Sequence, residues 1–508
     1  MIVKLHSAAL LGVEGVPITV EVSGAKGWKW NLVGLADSAV KESFYRIRSA
    51  IMHTQKWPGF QFTVNLAPAD LRKEGTLYDL PIALGVMAAA RRISSIRFDD
   101  YLVVGELSLD GLIRPAKGVL PMALLAKRKK LKGIVLPKAN APEASVIDNI
   151  EVIGVENLNE TLEWFNGTCR IDPTPSIPFS ASNRPIYGQN DFSDVRGQAA
   201  VKRALEVAAA GAHNVLMVGP PGSGKTMLAK RLPGILPPMT LEEAIETTQI
   251  HSVAGKINGS THLIDQRPFR HPHHSCSSVS LVGGGSFPSP GEISLAHHGI
   301  LFLDELPEFN RVVLEVLRQP LEDRVVTIAR AKYTLDFPAS FQLVASMNPS
   351  PAGHFPDEPG KSVVTPEQME RYLARISGPL LDRIDLHIEV HPVSFEELNH
   401  SEKVASSDEI RDRVIEARER QKRRYRAVRL FSNAQMGAAD VRKYCRLNTA
   451  GESLLKQAMN RLGFSARAHD RILKVARTIA DLAGAEHIEI SHLAEAIQYR
   501  SLDRKLGQ

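Results

Sequence analysis

Apolar positions along the chain follow two periods, and the change between them divides the sequence into regions. Residues 1–170 alternate short runs of β-type residues, at 18–22 and 62–65, with stretches at 37–52 and 80–90 of helical pattern. The runs predict strands and the stretches predict helices, so an α/β domain is expected here. From about residue 405 to the end the helical period continues, which predicts a helical domain.

The sequence contains one clear linker. Residues 171–188 read IDPTPSIPFSASNRPIYG, with four prolines among serines, a composition typical of a connection between domains. The length of 508 residues fits about three domains of ~150 residues each. We therefore predict an α/β domain at 1–170, the linker at 171–188, a central α/β nucleotide-binding domain at 189–395 and a helical lid at 396–508.

A glycine-rich loop lies between an apolar strand and a helix in the central region. Residues 213–226 read HNVLMVGPPGSGKT and contain the complete pattern G-x-x-x-x-G-K-T. In this pattern backbone N–H groups surround the phosphates of a nucleotide, the lysine reaches the outer phosphates and the threonine holds magnesium. The predicted nucleotide-binding residues are Gly219, Pro220, Pro221, Gly222, Ser223, Gly224, Lys225 and Thr226, and Thr226 is also a predicted Mg²⁺ ligand.

Two later strand ends carry the polar groups that hydrolysis of a nucleoside triphosphate needs. Residues 300–305 read ILFLDE and follow the phosphate loop by about 80 residues, which suits a phosphate-loop ATPase. A buried strand here would deliver Asp304 to Mg²⁺ and Glu305 to the attacking water. The next core strand is predicted to end at Asn348, which could orient that water. ATP and Mg²⁺ are the predicted cofactors.

Arginines from two later segments are candidates for contacting the phosphates. Arg383 lies in SGPLLDRIDLHIEV, just before another predicted strand. In a monomer it would be an ordinary surface ion-pair member, whereas in a ring it would reach the γ-phosphate of the neighbour's ATP. Arg467 begins a lid helix and is the predicted sensor arginine, with Arg471 one turn later as the alternative.

An unusually long excursion, residues 234–298, separates the phosphate loop from the second acidic motif. It includes HPHHSC at 271–276, which allows the hypothesis of a zinc site with His271, His273, His274 and Cys276 as ligands. A mobile polar loop is favoured, because a run this tight cannot easily place four ligands tetrahedrally. A third hypothesis is an insertion whose tip contacts a substrate in the central pore of a ring.

Charge and composition narrow the choice of partner and compartment. The net charge of +6 permits a nucleic-acid partner. A predicted hairpin within 329–349 carries Arg330 and Lys332 as candidate DNA contacts, with solvated hairpin charges as an equal alternative. Basic residues also crowd 411–429, where a solvated helix is favoured. Three scattered cysteines predict no disulfide framework, and no apolar run approaches the ~20 residues of a membrane span, so a cytoplasmic protein without membrane partners is expected.

Part of the first domain resembles the Lon-type protease domain. The similar stretches are GELSLDGLIRPAKGVLPMALLAKRKKLKGIVLPKAN at 105–140 and RKEGTLYDLPIALGVMAA at 72–89. The position of the nucleophilic serine falls on or beside Asp79, and the position of the lysine base falls among residues 119–122, while Lys117 matches a glycine of the pattern. A Lon-like fold without peptidase chemistry is therefore expected.

The remaining motifs resemble one group of AAA+ ATPases. The stretches GPPGSGKT, HHGILFLDE, ASMNP, SGPLLDRIDL and SARAHDRILKVARTIADL are similar to the magnesium-chelatase motor-subunit group. The Gly-Gln pair at 197–198 resembles the adenine-side segment of AAA+ ATPases, which adds Gln198 to the predicted nucleotide-binding residues. With the Lon-like region in front, the chain is identified as a member of the ComM/YifB family.

Membership of that family implies a hexameric ATP-driven DNA helicase that promotes branch migration during natural transformation. The implied partners are single-stranded and branched DNA, further copies of the chain and recombination proteins. Many members carry a cysteine-rich segment after the Asn-Pro of the third strand, whereas NPSPAGHFPDEPGKSVVTP has none, so no zinc is expected there.

Three other functions compete with this one. A protein-remodelling motor of the magnesium-chelatase type is the main alternative, and it is disfavoured because that motor lacks the Lon-like front domain. The missing Ser-Lys dyad disfavours an ATP-dependent protease. The intact set of ATPase residues disfavours a non-catalytic DNA-binding scaffold.

Overall fold

The computed structural model describes residues 2–179, 190–257, 262–285, 288–330, 333–355, 364–395, 397, 404–426, 430–500 and 502. Its residues divide between two compact units. The first combines residues 1–180 with 241–264, and the second combines residues 181–240 with 265–508. Residues 180–188 of the predicted linker lie outside the described part of the chain.

The first unit is built on a mixed seven-stranded sheet of order β3-β4-β2-β1-β5-β8-β9. Its elements up to residue 166 are β1 (Ile2–Leu11), β2 (Glu14–Lys26), β3 (Trp30–Val33), α1 (Ser38–Lys41), α2 (Ser43–Thr54), β4 (Phe60–Ala67), α3 (Asp79–Ala89), β5 (Tyr101–Val103), β6 (Glu106–Leu107), β7 (Ile113–Arg114), α4 (Val119–Arg128), β8 (Gly133–Pro137), α5 (Ala141–Ala144), β9 (Glu151–Val155) and α6 (Leu158–Asn166). The predicted strands lie within β2 and β4, and the helix predicted at 80–90 corresponds to α3. The helix predicted at 37–52 is divided at Glu42 into α1 and α2.

Apolar periodicity decides which residues of this unit form its core. In β4 the alternate residues Phe62, Val64 and Leu66 are buried, as the two-residue period of a strand requires. α3 is buried along its whole length, which explains its almost uninterrupted apolar sequence. Its buried first residue, Asp79, is the exception, and its pairing is described with the candidate site.

The rest of the chain alternates strands and helices up to residue 389 and is helical afterwards. The elements are α7 (Ala199–Gly211), β10 (Val215–Val218), α8 (Lys225–Arg231), α9 (Leu241–Val253), β11 (Phe269–Arg270), α10 (Ser278–Val282), β12 (Gly283–Gly284), β13 (Ser289–Pro290), α11 (Glu292–Leu295), β14 (Ile300–Leu303), α12 (Arg311–Glu315), α13 (Arg318–Asp323), β15 (Val325–Arg330), β16 (Tyr333–Pro338), β17 (Gln342–Met347), α14 (Pro366–Leu373), α15 (Gly378–Leu381), β18 (Leu386–Glu389), α16 (Ser407–Arg424), α17 (Ala438–Tyr444), α18 (Thr449–Leu462), α19 (Ala466–Leu482) and α20 (Ile490–Gln498). The α/β fold class with a helical C-terminal region is thus confirmed.

A parallel five-stranded sheet of order β11-β14-β17-β10-β18 forms the centre of the second unit. β10, β14 and β17 are buried throughout, since they occupy the middle of the sheet. The carboxyl ends of parallel strands meet at one edge of a sheet, where ligands of such folds bind. The phosphate loop, Asp304 and Asn348 follow the ends of these three strands.

α9 belongs to the first unit, although its sequence lies between the two predicted ATPase motifs. The carbonyl oxygen of Ser252, in α9, accepts a hydrogen bond of 3.2 Å from the N–H of Gly118, which precedes α4. The Ser252 hydroxyl donates to the buried carboxylate of Glu143, which also accepts from the N–H of Leu120 at 3.2 Å. Burial raises the pKa of Glu143, and these hydrogen bonds oppose that shift. α9 is therefore fixed to the start of α4 by buried polar contacts.

The basic helix α16 is held by carboxylates of the second unit. Arg424 donates to Asp481 of α19 at 2.9 Å, and Arg477 lies 3.0 Å from the same buried carboxylate. Arg413 pairs with Glu206 of α7 at 2.5 Å. Part of the charge predicted to be solvated thus contacts α7 and α19, while residues 427–429 of the basic stretch lie outside the described residues.

β15 and β16 form the predicted hairpin, paired antiparallel from Val325↔Pro338 to Arg330↔Tyr333. The side chain of Arg330 and the whole of Lys332 lie outside the described residues. Their assignment to DNA therefore stays a prediction.

Candidate nucleotide-binding site

The loop at 219–224 joins β10 to α8. A Cβ atom at Gly219 would lie 2.1 Å from the carbonyl oxygen of Val390, and Gly224 has a φ of +91°, so both positions need glycine. Lys225 begins α8, and its ammonium donates to the carbonyl oxygens of Gly219 and Pro220 at 2.6 and 2.9 Å. The loop therefore closes around the lysine side chain.

The residues of the loop fit a phosphate group. Ser223 is buried, and its hydroxyl has no hydrogen-bond partner among the described residues. A Cβ atom at Gly222 would meet nothing within 4 Å, which shows open space beside the loop. Burial lowers the pKa of Lys225, while the charges of Asp304 and Glu305 oppose that shift. A phosphate would supply an acceptor for the serine hydroxyl and a counter-charge for the ammonium.

Thr226 and Asp304 meet between α8 and the end of β14. The Thr226 hydroxyl donates to Oδ2 of Asp304 at 2.7 Å. The other oxygen of Asp304 accepts from the hydroxyl of Ser346, in β17. Oxygen donors of this kind suit Mg²⁺, so the pair predicted to hold the metal is brought together. Ser346 was not among the predicted residues; its only signal was a serine near the end of a mostly apolar strand.

Glu305 lies beside this pair with an exposed side chain. Its backbone is left-handed, with a φ of +54°, and its N–H donates to Oδ1 of Asp304 at 3.1 Å. Its carboxylate oxygen Oε2 lies 3.6 Å from Nδ1 of His274. The predicted base is therefore next to the predicted metal ligand and close to His274, one of the hypothetical zinc ligands.

Asn348 follows β17 and contacts the phosphate-loop lysine. Its side-chain oxygen accepts from the Lys225 ammonium at 3.4 Å, and its backbone oxygen accepts from the Tyr372 hydroxyl at 3.0 Å. Burial raises the pKa of Tyr372 to about 12, so this hydroxyl keeps its proton at neutral pH and donates the hydrogen bond to Asn348. Tyr372, on α14, is a second residue that the sequence did not indicate.

Gln198 contacts the other side of the phosphate loop. Its side-chain amide donates to the carbonyl oxygens of Ser223 and His391 at 2.8 and 3.1 Å. A cavity of about 440 Å³ adjoins it, and Lys202, Val404 and Ile410 are among the residues that line this cavity. Its volume falls within the range of small-molecule sites.

Arg383 is buried and ion-paired within its own unit. Its guanidinium lies 2.6 Å from a carboxylate oxygen of Glu322 and donates to the carbonyl oxygen of Pro379 at 2.6 Å. In this subunit the arginine is thus an ion-pair member, and the role proposed for it in a ring requires it to leave Glu322.

The two candidate sensor arginines differ in their surroundings. Arg467 is exposed in the first turn of α19. Arg471 donates to Asp385, and to the carbonyl oxygen of Arg383 at 3.1 Å. Although burial alone would raise it, the pKa of Asp385 is lowered by the Arg471 guanidinium and by His213. Arg471 is therefore held by a buried carboxylate, whereas Arg467 lies at the surface.

The histidine-rich stretch packs along β14. The His271 ring lies 4.8 Å from the Phe302 ring, measured between centroids, and burial lowers the pKa of His271. Nδ1 of His273 lies 2.8 Å from the Ser275 hydroxyl. Within the described residues, the four hypothetical zinc ligands do not bring three ligand atoms within 4.8 Å of one another.

The position that corresponds to the Lon nucleophile holds an ion pair in the first unit. Arg46 donates to both carboxylate oxygens of Asp79, at 2.7 and 3.0 Å, and the N–H of Leu107 donates to the same carboxylate at 3.3 Å. Burial raises the pKa of Asp79 to about 6, against the opposing effect of Arg46. Residues 119–122 are buried in the first turn of α4 and include no lysine.

Three protein-family models match the chain. The one described as magnesium chelatase, subunit ChlI, matches residues 191–398. The one described as subunit ChlI of Mg-chelatase matches residues 19–140, and the one described as magnesium chelatase, subunit ChlI C-terminal, matches residues 404–500.

Curated relatives match nearly the whole chain. Competence protein ComM of Haemophilus influenzae is 46% identical over 507 residues, which is 99% of this chain and 98% of that protein. The uncharacterised protein YifB of Escherichia coli is 43% identical and covers 99% of this chain and 97% of its own length. Lon protease 2 of Bacillus subtilis is 30% identical over 173 residues, which is 31% of this chain and 29% of that protein.

Among the helices that the structure describes, none has the length and apolar character of a membrane span.

Proposed function

The chain belongs to the ComM/YifB family, with AAA+ domains of the magnesium-chelatase type, and we propose that it is an ATP-driven ring motor acting on DNA. The proposed activity is that of a homo-hexameric helicase and translocase in the cytoplasm, which promotes branch migration of recombination intermediates during natural transformation. The similarity to competence protein ComM along almost the whole chain supports this proposal.

One observation carries the ATPase part of the proposal. Thr226 meets Asp304, and Lys225 meets Asn348, at the ends of three neighbouring parallel strands. A metal ligand pair, a phosphate-binding lysine and a polar residue at the third strand end are what phosphoryl transfer by a phosphate-loop enzyme uses. ATP with Mg²⁺ would supply the transferable phosphoryl group and the charge that stabilises its leaving oxygen.

The side chains around this point have separate roles in nucleotide binding and hydrolysis. Lys225 and the N–H groups of the loop bind the phosphates, and Thr226 and Asp304 hold the metal. Glu305 accepts a proton from the attacking water, for which its exposed carboxylate beside Asp304 is well placed. Asn348 orients that water from the end of the neighbouring strand β17.

Contacts on the adenine side of the nucleotide and from the helical lid complete the proposed site. Gln198 and the cavity beside it receive the adenine side of the nucleotide. Arg467 is the proposed sensor arginine, since Arg471 is already bound to Asp385. Arg383 would leave Glu322 and act on ATP bound by the neighbouring subunit as an arginine finger.

Hydrolysis would move the hairpin at 325–337 and the loop at 271–287, and would thereby pull DNA through a basic pore. Arg330 and Lys332 of the hairpin would contact phosphates without regard to base sequence. Such contacts weaken as salt rises.

The proposal is tested with purified full-length protein, Mg²⁺, ATP and DNA. The ATPase rate should rise on addition of single-stranded DNA or a four-way junction at low salt, and a labelled junction should be migrated with ATP but not with a non-hydrolysable analogue. A Lys225→Ala variant is the matched control. An ATPase that no DNA stimulates at low salt would contradict the DNA part, and absence of any hydrolysis would contradict the ATPase part.

A protein-remodelling motor of the magnesium-chelatase type is the second candidate. One of the family models named for subunit ChlI matches residues 19–140, so the front region does not separate the two functions. Hydrolysis that is indifferent to DNA, together with failure to migrate a junction, would favour this candidate.

A further inference from the structure

A basic surface with two exposed aromatic rings lies at one end of the sheet in the first unit. It forms where β2 ends, where β4 begins and where the chain leaves α3. The Trp28 side chain is 85% exposed, and Phe60 is 38% exposed. We call the following residues the Trp28 surface: Lys26, Trp28, Lys29, Lys56, Phe60, Arg91 and Arg92.

Contacts between the three segments bring these residues to one place. Lys26 is directly opposite Phe60 in the antiparallel pairing of β2 with β4. A Cβ atom at Gly59 would lie 3.9 Å from Cη2 of Trp28, so the indole ring lies beside the start of β4. The Arg92 guanidinium donates to the carbonyl oxygen of Lys56, which joins the end of α3 to the loop before β4.

A packed aromatic layer supports the exposed ring of Phe60. Trp57 lies edge-on to Phe62 with ring centroids 5.9 Å apart, and Trp30 lies edge-on to the same ring at 6.4 Å. Phe60 lies 6.3 Å from Phe62. Because Phe62 is buried, the layer is fixed, and Phe60 needs little ordering to receive a flat partner.

The charge of the surface has one sign. Its three lysines and two arginines are all exposed. Residues 24–30, 55–61 and 90–96, which contain them, include no aspartate or glutamate. An uncompensated basic surface attracts a polyanion, and its contacts with phosphates release counterions.

Cations alternating with exposed aromatic rings are the chemistry that recognises unpaired nucleic acid. The phosphates of a single strand contact the cations, and its bases stack on the rings without sequence preference. In a duplex the base faces are already stacked, so the rings would have no partner.

We propose that the Trp28 surface binds single-stranded DNA, with bases stacked on Trp28 and Phe60 and phosphates contacting Lys26, Lys29 and Lys56. This inference rests on the proposed function, which makes DNA the partner. It adds a DNA contact on the Lon-like unit, outside the ATPase unit.

The test measures binding of fluorescein-labelled oligothymidylate to the full-length protein by anisotropy over a range of salt concentrations. Trp28→Ala should lower the affinity about 5- to 150-fold, and Trp28→Phe should restore most of it. A Lys26→Glu, Lys29→Glu double variant should reduce the slope of log affinity against log salt by about 1.4, because two single-strand phosphate contacts are lost. The matched control is Lys127→Glu with Lys129→Glu, which makes the same charge change on exposed residues at the end of α4 and should leave binding unchanged.

The outcomes separate this inference from the proposed function. If wild-type protein binds the oligonucleotide and all variants bind equally, only the inference is overturned. The inference is also overturned if the control weakens binding as much as the Lys26 and Lys29 variant does. A change in the mass of the assembly of Trp28→Ala, measured by light scattering, would overturn it too, as would preferential binding of the surface to anionic vesicles over DNA. If wild-type protein neither binds DNA nor shows DNA-stimulated hydrolysis, the DNA part of the proposed function fails as well.

Discussion

The hydroxyl of Thr226 lies 2.7 Å from Oδ2 of Asp304, which joins the first turn of α8 to the end of β14 at the point where a metal ion is proposed. Thr226→Ala removes one oxygen donor and should raise the Mg²⁺ concentration for half-maximal hydrolysis about tenfold or more, a loss typical of a well-placed metal contact. Thr226→Ser keeps the hydroxyl and should behave like the wild type. An unchanged Mg²⁺ dependence in the alanine variant would place the metal elsewhere.

Lys225 is expected to be required for binding of the nucleotide. Lys225→Ala removes the only ammonium that contacts Asn348 and the loop carbonyl groups within the described residues, and should weaken binding of a fluorescent ATP analogue about 100-fold or more. Lys230→Ala, an exposed lysine on the same helix, is the control and should bind normally. Equal affinities for the two variants would show that the loop does not hold the phosphates.

Glu305 is expected to matter for hydrolysis and not for binding. Glu305→Gln should bind ATP with wild-type affinity and assemble normally, while its turnover falls about 10²- to 10⁴-fold, as expected for loss of a general base. Glu308→Gln makes the same replacement at an exposed carboxylate three residues later, and this variant should keep normal turnover. Unaltered hydrolysis by Glu305→Gln would mean that another group activates the water.

Arg383 can be tested by mixing subunits that are defective in different parts of one site. Glu305→Gln and Arg383→Ala should each be inactive alone, but a mixture should recover about a quarter of the activity if every site takes its arginine from the neighbour. A mixture of two variants altered on the same side of the site, Glu305→Gln and Lys225→Ala, should recover none. Glu322→Gln checks that releasing the arginine from its ion pair leaves the protein folded.

Failure of the first mixture to recover, with both variants folded and assembled, would contradict the role of Arg383 at the neighbouring subunit's site.

The ion pair between Arg46 and Asp79 is expected to stabilise α3 and to have no peptidase role. Arg46→Met leaves a buried carboxylate without its partner and should destabilise α3 by about 3 kcal/mol, as measured by hydrogen exchange of its amide groups. The double variant with Asp79→Leu removes that charge and should recover part of the loss. If the double variant is as unstable as the sum of the single variants, the two residues are not coupled.

The same pair gives a dependence on pH with a definite sign. Burial raises the pKa of Asp79 to about 6, and removing Arg46 raises it further. The folded state therefore binds this proton more tightly than the unfolded chain does, so protonation favours folding. The instability of Arg46→Met should shrink as the pH falls from about 7 to about 5, and a deficit independent of pH would mean that lost packing is its cause.

The parts of the fold that could be predicted from the sequence are those set by local patterns. Periodicity indicated β2, β4, α3 and the helices of the C-terminal region, and the glycine-rich loop indicated β10 and α8. Asp304 and Asn348 could be placed because each follows a buried parallel strand, and such strands end at the same edge. The family and the fold class were correctly identified from these motifs.

The parts that were missed depend on partners far away in the sequence. The buried residues of α9 include Thr247, Thr248 and Ser252 as well as apolar residues, so its local pattern does not indicate that it packs with the first unit. The charge of α16 shows many cations but not that Arg424 would find Asp481 of α19. Ser346 gave almost no signal, because a serine in a strand has many structural explanations besides a contact with Asp304.

The assignment of α9 to the first unit also determines what truncation or proteolysis can do to the molecule. The polypeptide passes from one unit to the other at 180–181, again at 240–241 and a third time at 264–265. A fragment that ended at residue 180 would lack Ser252 and leave Glu143 without the hydroxyl that it binds. A protease that cut the linker would leave the two units joined by the polypeptide connections at 240–241 and 264–265. Limited digestion is therefore expected to cut this protein without releasing its Lon-like unit.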